Sequence, residues 1–270
     1  MTFQRPHSPI RPAREYFDLY DPEEIELPQS ATDYFERRFA GKPQFMIDRL
    51  KNGCPYPLAN PDPRVLKRVL ASYYALITCI DMEIGRVIDW LKQHGDYENT
   101  IMVFAADHGD FAGEHGLFHK NFGIYESIHR IPFLLRIPGG PQNERRTQII
   151  ESIDLYPTLC ELAGLGIAEC VEGRSLLPIV RDNAPGKDEA LAEWSWAVPV
   201  PRINALRTDR YRLVYYNHQI GGELYDHDTD PGEVHNLWDA PRYADARTEL
   251  MERLFYRVNA YRAPSEFRDD

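Results

Sequence analysis

The chain has 270 residues, 43% of them hydrophobic, which is enough for a sizeable buried core in one or two domains. Lys and Arg number 31 against 42 Asp and Glu, and the net charge of −11 repels a phosphate backbone, excludes nucleic acid as a partner and requires any anionic substrate to be held by local positive charge. No run approaches the ~20 apolar residues of a membrane span, and the start MTFQRPHSPIRPAREY lacks a signal peptide's apolar stretch, so the expectation is a soluble chain with no membrane partner, cytoplasmic if Met1 is the true start.

Residues 1 to about 62 are rich in proline, aromatics and charge and lack periodicity, which predicts a long irregular lead-in that lines a site or packs onto a body elsewhere. From Arg64 to about His94 apolar residues recur at helical spacing (Val65, Val69, Tyr73, Ile77, Ile80, Ile84, Val87, Leu91), and Gly95 stands in C-cap position, which predicts a long helix. TIMVFAAD then has the continuous apolar character of a strand covered on both faces, the pattern of a parallel sheet between helices, and IPFLLRIP at 131 to 138 repeats it. Ser152 to Ala163 reads as a helix entered through Asp154, with Pro157 in its first turn where no N–H is needed. RDNAPGKDE, from 181, looks like a linker. Beyond it, short alternating aromatic-rich runs (ALAEWSW, RINALRT, YRLVYYN, GELYDH) predict a small antiparallel meander, and residues 241 to 262 a terminal helix packed on it.

Between the two apolar strands, Asp107, His108, Asp110, Glu114, His115, His119 and Lys120 fall within residues 105 to 120. The carboxyl end of a parallel strand is where open α/β sheets place ligands, and an adjacent hard carboxylate oxygen and imidazole nitrogen suit a divalent ion of the Ca, Mg or Mn kind. Taken alone, the dipeptide reads first as a capped turn with a packed histidine. Gly113 and Gly116 argue against a helical zinc site at His115 and His119, which leaves those histidines supporting or surface roles; Asp110 and Glu114 are left out of the site. DHDTDPG, from Asp226, imitates a calcium loop but has Pro231 and Leu237 where an EF-hand needs Gly and Glu, and it reads as a turn. The cysteines, Cys54, Cys79, Cys160 and Cys170, form no CxxC pair, which indicates neither a zinc knuckle nor a disulfide framework.

The string ADHGDFAGEHGLFHK followed by YESIHRIPFLLRIPG closely resembles the signature of the sulfatase family within the alkaline phosphatase superfamily. RPHSPIRPAREYFDLYDPEEIELP is similar to the family's substrate-histidine loop, SIDLYPTLCELAGL to its next helix, and RTDRYRLVYY with ELYDHDTDPGEVHNL to its C-terminal subdomain. The resemblance implies the C-terminal part of an alkaline-phosphatase-like α/β sandwich: a mixed, mainly parallel sheet between helices over residues 1–182, then a small antiparallel sheet with a packed helix over 183–270. It implies that Asp107 and His108 are metal ligands, for Ca2+ first with Mn2+ or Mg2+ as alternatives. It implies that Lys120 and His7 contact the sulfate or phosphate ester, His7 also protonating the leaving oxygen.

The family's nucleophile, a formylglycine made in a C/S-x-P/A-x-R motif, has no counterpart here: Cys170 begins CVEGR and lies after the metal-binding strand, and no serine fits. The paired aspartates of the family's first strand are absent too. The expectation is therefore a truncated or split sulfatase-type chain, inactive alone, whose missing N-terminal portion is a possible separate partner. The alternatives are a phosphonate or phosphate ester hydrolase of the same superfamily, or a non-catalytic homologue that binds an anion or a partner subunit.

Overall fold

The computed structural model describes residues 1–37, 39–44, 47, 62–120, 124–195, 202–217 and 221–260, and Cys54 and the last residues of the expected terminal helix lie outside them. The chain divides into two units, Met1–Gly139 and Gly140–Asp270. The fold is mixed α/β with a small antiparallel sheet and helices, as the sequence predicts. No described helix is long and apolar enough to cross a membrane.

In the first unit, the described residues of the lead-in include the short helices α1 (Arg14–Phe17) and α2 (Thr32–Phe35) and 3-10 turns at Pro22–Glu24 and Gln29–Ala31. The periodic run forms α3 (Pro63–Gln93). Asp62 caps it by accepting from the Arg64 amide, Pro63 sits in the first turn where its missing N–H costs nothing, and Gly95 follows at φ 77. The lead-in packs onto this helix: Ile25 joins Leu70 and Ala71 in a buried cluster flanked by Phe17, Tyr20 and Leu27, and the Tyr20 hydroxyl lies 2.6 Å from Thr78 Oγ1.

The apolar runs form β1 (Met102–Ala105) and β2 (Phe133–Arg136), with the short α4 (Glu126–His129) between them. Their direction differs from the parallel reading of the two apolar runs and fits a mixed sheet: β1 and β2 pair antiparallel, Met102 opposite Arg136 and Ala105 opposite Phe133, and no parallel pair occurs among the described residues. A continuous apolar run reports intended burial on both faces; it carries no information on strand direction. The cross-strand pair Phe104 and Leu134 is exposed here.

In the second unit, a capping box between Glu151 and Asp154 starts a 3-10 turn (Ser152–Asp154) that continues into α5 (Leu155–Leu162), followed by α6 (Leu177–Asp182). The stretch after Asp182 is tied back at Lys187, whose amide donates to Ile149 O and whose ammonium binds Glu151 and Asp154. The meander is β3 (Ala190–Trp194), β4 (Ile203–Arg207), β5 (Tyr211–Tyr216) and β6 (Gly221–Asp226), antiparallel and in sequence order. Leu206, Leu213 and Leu224 face one another across three strands and bury against Leu250 and Leu254 of α7 (Ala244–Ala260). The interleaved Arg212 and Glu223 are buried as well, Arg212 paired with Glu233 at 2.5 Å and Glu223 accepting from the Tyr216 hydroxyl at 2.5 Å. DHDTDPG is a turn: Asp226 pairs with Arg210 at 2.7 Å, and Asp230 accepts from the amides of Val234 and His235.

Candidate functional site

The loop that leaves β1 is fixed first at Gly109. Its amide donates to Ile128 O at 2.7 Å, and a Cβ there would lie 1.9 Å from Ser127 O, so only glycine allows this approach to α4. Asp110 then folds the loop back on itself, Oδ1 accepting from the amides of Ala112 (2.8 Å) and His119 (2.9 Å), while Phe111 N donates to His119 O. A residue twelve positions beyond His108 is thereby returned to its side.

That residue is Lys120, whose Nζ lies 2.7 Å from His108 Nε2. The imidazole tautomer follows from its other contact: Nδ1–H donates to Gly109 O at 2.7 Å, which leaves the lone pair on Nε2, where the half-buried ammonium now sits. Asp107 is beside it, its side chain 87% exposed, with Oδ1 accepting from His108 N and Oδ2 3.6 Å from His108 Nε2. The structure thus brings Asp107, His108 and Lys120 together. A carboxylate oxygen and a neutral imidazole nitrogen held in the ligating tautomer form a donor set that fits a divalent cation, and Lys120 shows that the position attracts positive charge.

His7 is exposed, its Nδ1 donating to Ser8 O at 3.0 Å, and its ring makes no hydrogen bond to Asp107, His108 or Lys120. The adjacent Ser8, however, has its hydroxyl 2.9 Å from His119 Nδ1, so the His7 loop is tethered to the residue that precedes Lys120. Sequence reasoning missed Ser8, because nothing in RPHSP distinguishes a tethering hydroxyl from a solvated one.

His115 is buried, with Nδ1 donating to Asp33 Oδ2 at 2.7 Å and its amide donating to Ser30 Oγ at 2.9 Å; the Ser30 hydroxyl in turn donates to Glu114. Asp33, wholly buried, also pairs with Lys42 (3.6 Å) and Arg37 (3.3 Å). The sequence left His115 a supporting or a surface position; it is buried, and its partner in ATDYF was not legible. Tyr73 of α3 faces the same loop, and its phenol is pushed well above its ordinary range by burial, with the Asp110 carboxylate adding to the shift.

Residues 2–165 match the family described as Sulfatase, and residues 113–260 the family described as N-sulphoglucosamine sulphohydrolase, C-terminal. The chain is 31% identical over 262 residues to an arylsulfatase of Clostridium perfringens, with 95% of this chain and 52% of that protein covered. It is 31% identical over 201 residues to an N-acetylglucosamine-6-O-sulfatase of Bacteroides thetaiotaomicron, with 70% and 35% covered. Among solved structures, a phosphonate monoester hydrolase from Silicibacter pomeroyi is similar at a TM-score of 0.84 and 26% identity, with 98% of this chain and 56% of that chain covered. The chain spans about half the length, or less, of these curated relatives.

Proposed function

The chain belongs to the sulfatase family, and from that premise we propose that it supplies part of the active site of a metal-dependent sulfuric ester hydrolase. The observation that carries the reading is the meeting of Lys120 Nζ and His108 Nε2 at 2.7 Å beside the exposed Asp107 carboxylate, which supports a ligand pair and an anion-binding cation at one loop end. Asp107 and His108 would hold the divalent cation, calcium first with manganese or magnesium as alternatives, and the remaining ligands would come from other residues. When bound, the ion supplies Lewis-acid polarisation of the ester. The Gly109 carbonyl keeps His108 in the tautomer whose Nε2 can ligate. Lys120 neutralises charge that develops on the transferring oxygens, and His7, on the tethered loop, delivers a proton to the leaving oxygen. No cysteine or serine of this sequence lies in the family's nucleophile motif, and the reading assigns no attacking group among these residues.

A second reading, a phosphonate or phosphate monoester substrate, is favoured by one observation, the 0.84 TM-score to a phosphonate monoester hydrolase over 98% of the chain. The same lysine and histidines suit either tetrahedral anion. The test expresses the longest polypeptide that the coding region allows and compares turnover of an aryl sulfate and a phosphonate monoester in calcium, manganese and magnesium. Lys120→Met is expected to lower kcat by about 100- to 1000-fold on the preferred ester, and Asp107→Asn to weaken cation affinity at least about tenfold. Turnover of neither ester would sink the catalytic reading and leave a non-catalytic homologue; full activity in both variants would sink the roles given to Lys120 and Asp107.

A further inference from the structure

The carboxylate of Asp33 is completely buried and is shared by His115 (2.7 Å), Arg37 (3.3 Å) and Lys42 (3.6 Å). Such a group is costly to bury, and it stands outside the loop that carries Lys120, in a helix of the lead-in. The loop itself is an unfavourable piece of backbone. Ala112 (φ 43), His115 (φ 53) and His119 (φ 67) are left-handed without being glycine, and Gly113 and Gly116 are left-handed beside them. Such a run persists only where its surroundings over-determine it. Asp110 holds the two ends of the run together from within, through the amides of Ala112 and His119. The middle is held from outside at His115, its imidazole by Asp33 and its amide by Ser30, while Ser8 tethers the end at His119. A Cβ on Gly116 would come within 2.5 Å of the Tyr34 side chain, so α2 also sets how closely this turn seats.

We propose that His115 is a positioning residue: through its hydrogen bond to Asp33 it fixes the left-handed turn that aims Lys120 at His108, so the anion-binding end of the site depends on a buried pair 82 residues apart in sequence. The proposal rests on the reading of Lys120 and His108 given above for its catalytic meaning, and on geometry alone for the positioning.

The test uses the full chain with 15N-labelled histidine. Wild type should show a His108 Nε2 signal shifted by contact with the Lys120 ammonium, assigned by its loss in Lys120→Met. His115→Leu removes the donor and should move the His108 signal towards that of Lys120→Met and weaken binding of inorganic sulfate about tenfold. His115→Asn places an amide N–H where Nδ1 was and tolerates the left-handed φ, so it should restore both readouts to within about twofold. Asp33→Asn leaves the loop sequence untouched, removes the charged acceptor and should act in the direction of His115→Leu; it keeps the test open where that variant does not fold. A merely space-filling role for His115 predicts the reverse order, with leucine tolerated and asparagine damaging. Folded His115→Leu and Asp33→Asn proteins with an unchanged His108 signal would overturn the proposal. A His108 signal that moves as expected in a chain that hydrolyses no ester upholds the positioning and removes the function proposed above.

Discussion

Adding one methyl group at Gly109 separates the geometric argument from a general loss of stability. The Cβ of Gly109→Ala would lie 1.9 Å from Ser127 O and 2.9 Å from Ser127 C, both backbone atoms that cannot swing away as a side chain does. Restoring an ordinary contact requires the loop and α4 to part by about 1.5 Å, which also stretches the 2.7 Å bond from Gly109 N to Ile128 O. Overpacking costs about 1–3 kcal/mol and the lost hydrogen bond about 0.5–1.5 kcal/mol. A melting temperature lowered by roughly 5–15 °C is therefore expected in calorimetry. His108 and Asp107 precede the displaced residue directly, and a misplacement of about 1 Å in a reacting constellation costs on the order of 100-fold in rate. Cation affinity in titration calorimetry with calcium and manganese, and the ester turnover proposed above, should fall together. The control is Gly85→Ala in α3, where a Cβ meets nothing within 4 Å. There the same change should stabilise by about 0.5–1 kcal/mol, because alanine loses less backbone freedom in a helix interior. A Gly109→Ala protein that melts with wild type and binds the cation equally well would refute the reasoning.

The Arg212 and Glu233 side chains are both buried and lie 2.5 Å apart, so Arg212→Met takes the guanidinium charge from a buried carboxylate that His227 also contacts at 2.9 Å, and should cost about 3–5 kcal/mol in denaturant unfolding. Leu213→Ala, at the centre of the three-strand leucine row, should cost about 2–5 kcal/mol by the same measurement. The Asp226 carboxyl is held below its ordinary value, first by the hydrogen bond from Arg210. A depressed folded pKa contributes stability that is fully present above the unfolded value of about 4 and lost as pH falls through the folded value. The stability gap between wild type and Asp226→Asn should therefore be flat at neutral pH and close below about pH 4, and a gap independent of pH would contradict the assignment.

The spacing of Val69, Tyr73, Ile80 and Ile84 was enough to define α3 and its ends, because side chains three and four apart share a helical face whatever surrounds them. The alternation in the meander fixed β3 to β6 for the same local reason, and the apolar run before Asp107 placed Asp107 and His108 just past a strand end. Periodicity is a property of neighbours in sequence, and these features need nothing else. Three decisions lay beyond it. The direction of β1 against β2 depends on the path between them, which TIMVF and PFLLR do not record. The meeting of Lys120 with His108 depends on Asp110 drawing two loop amides onto one oxygen, a closure set by left-handed backbone at His119 rather than by a twelve-residue interval. The pairing of His115 with Asp33 joins two buried polar groups from distant segments, and only tertiary packing selects such a partner, since an acid in solution and an acid awaiting a histidine are written with the same letter.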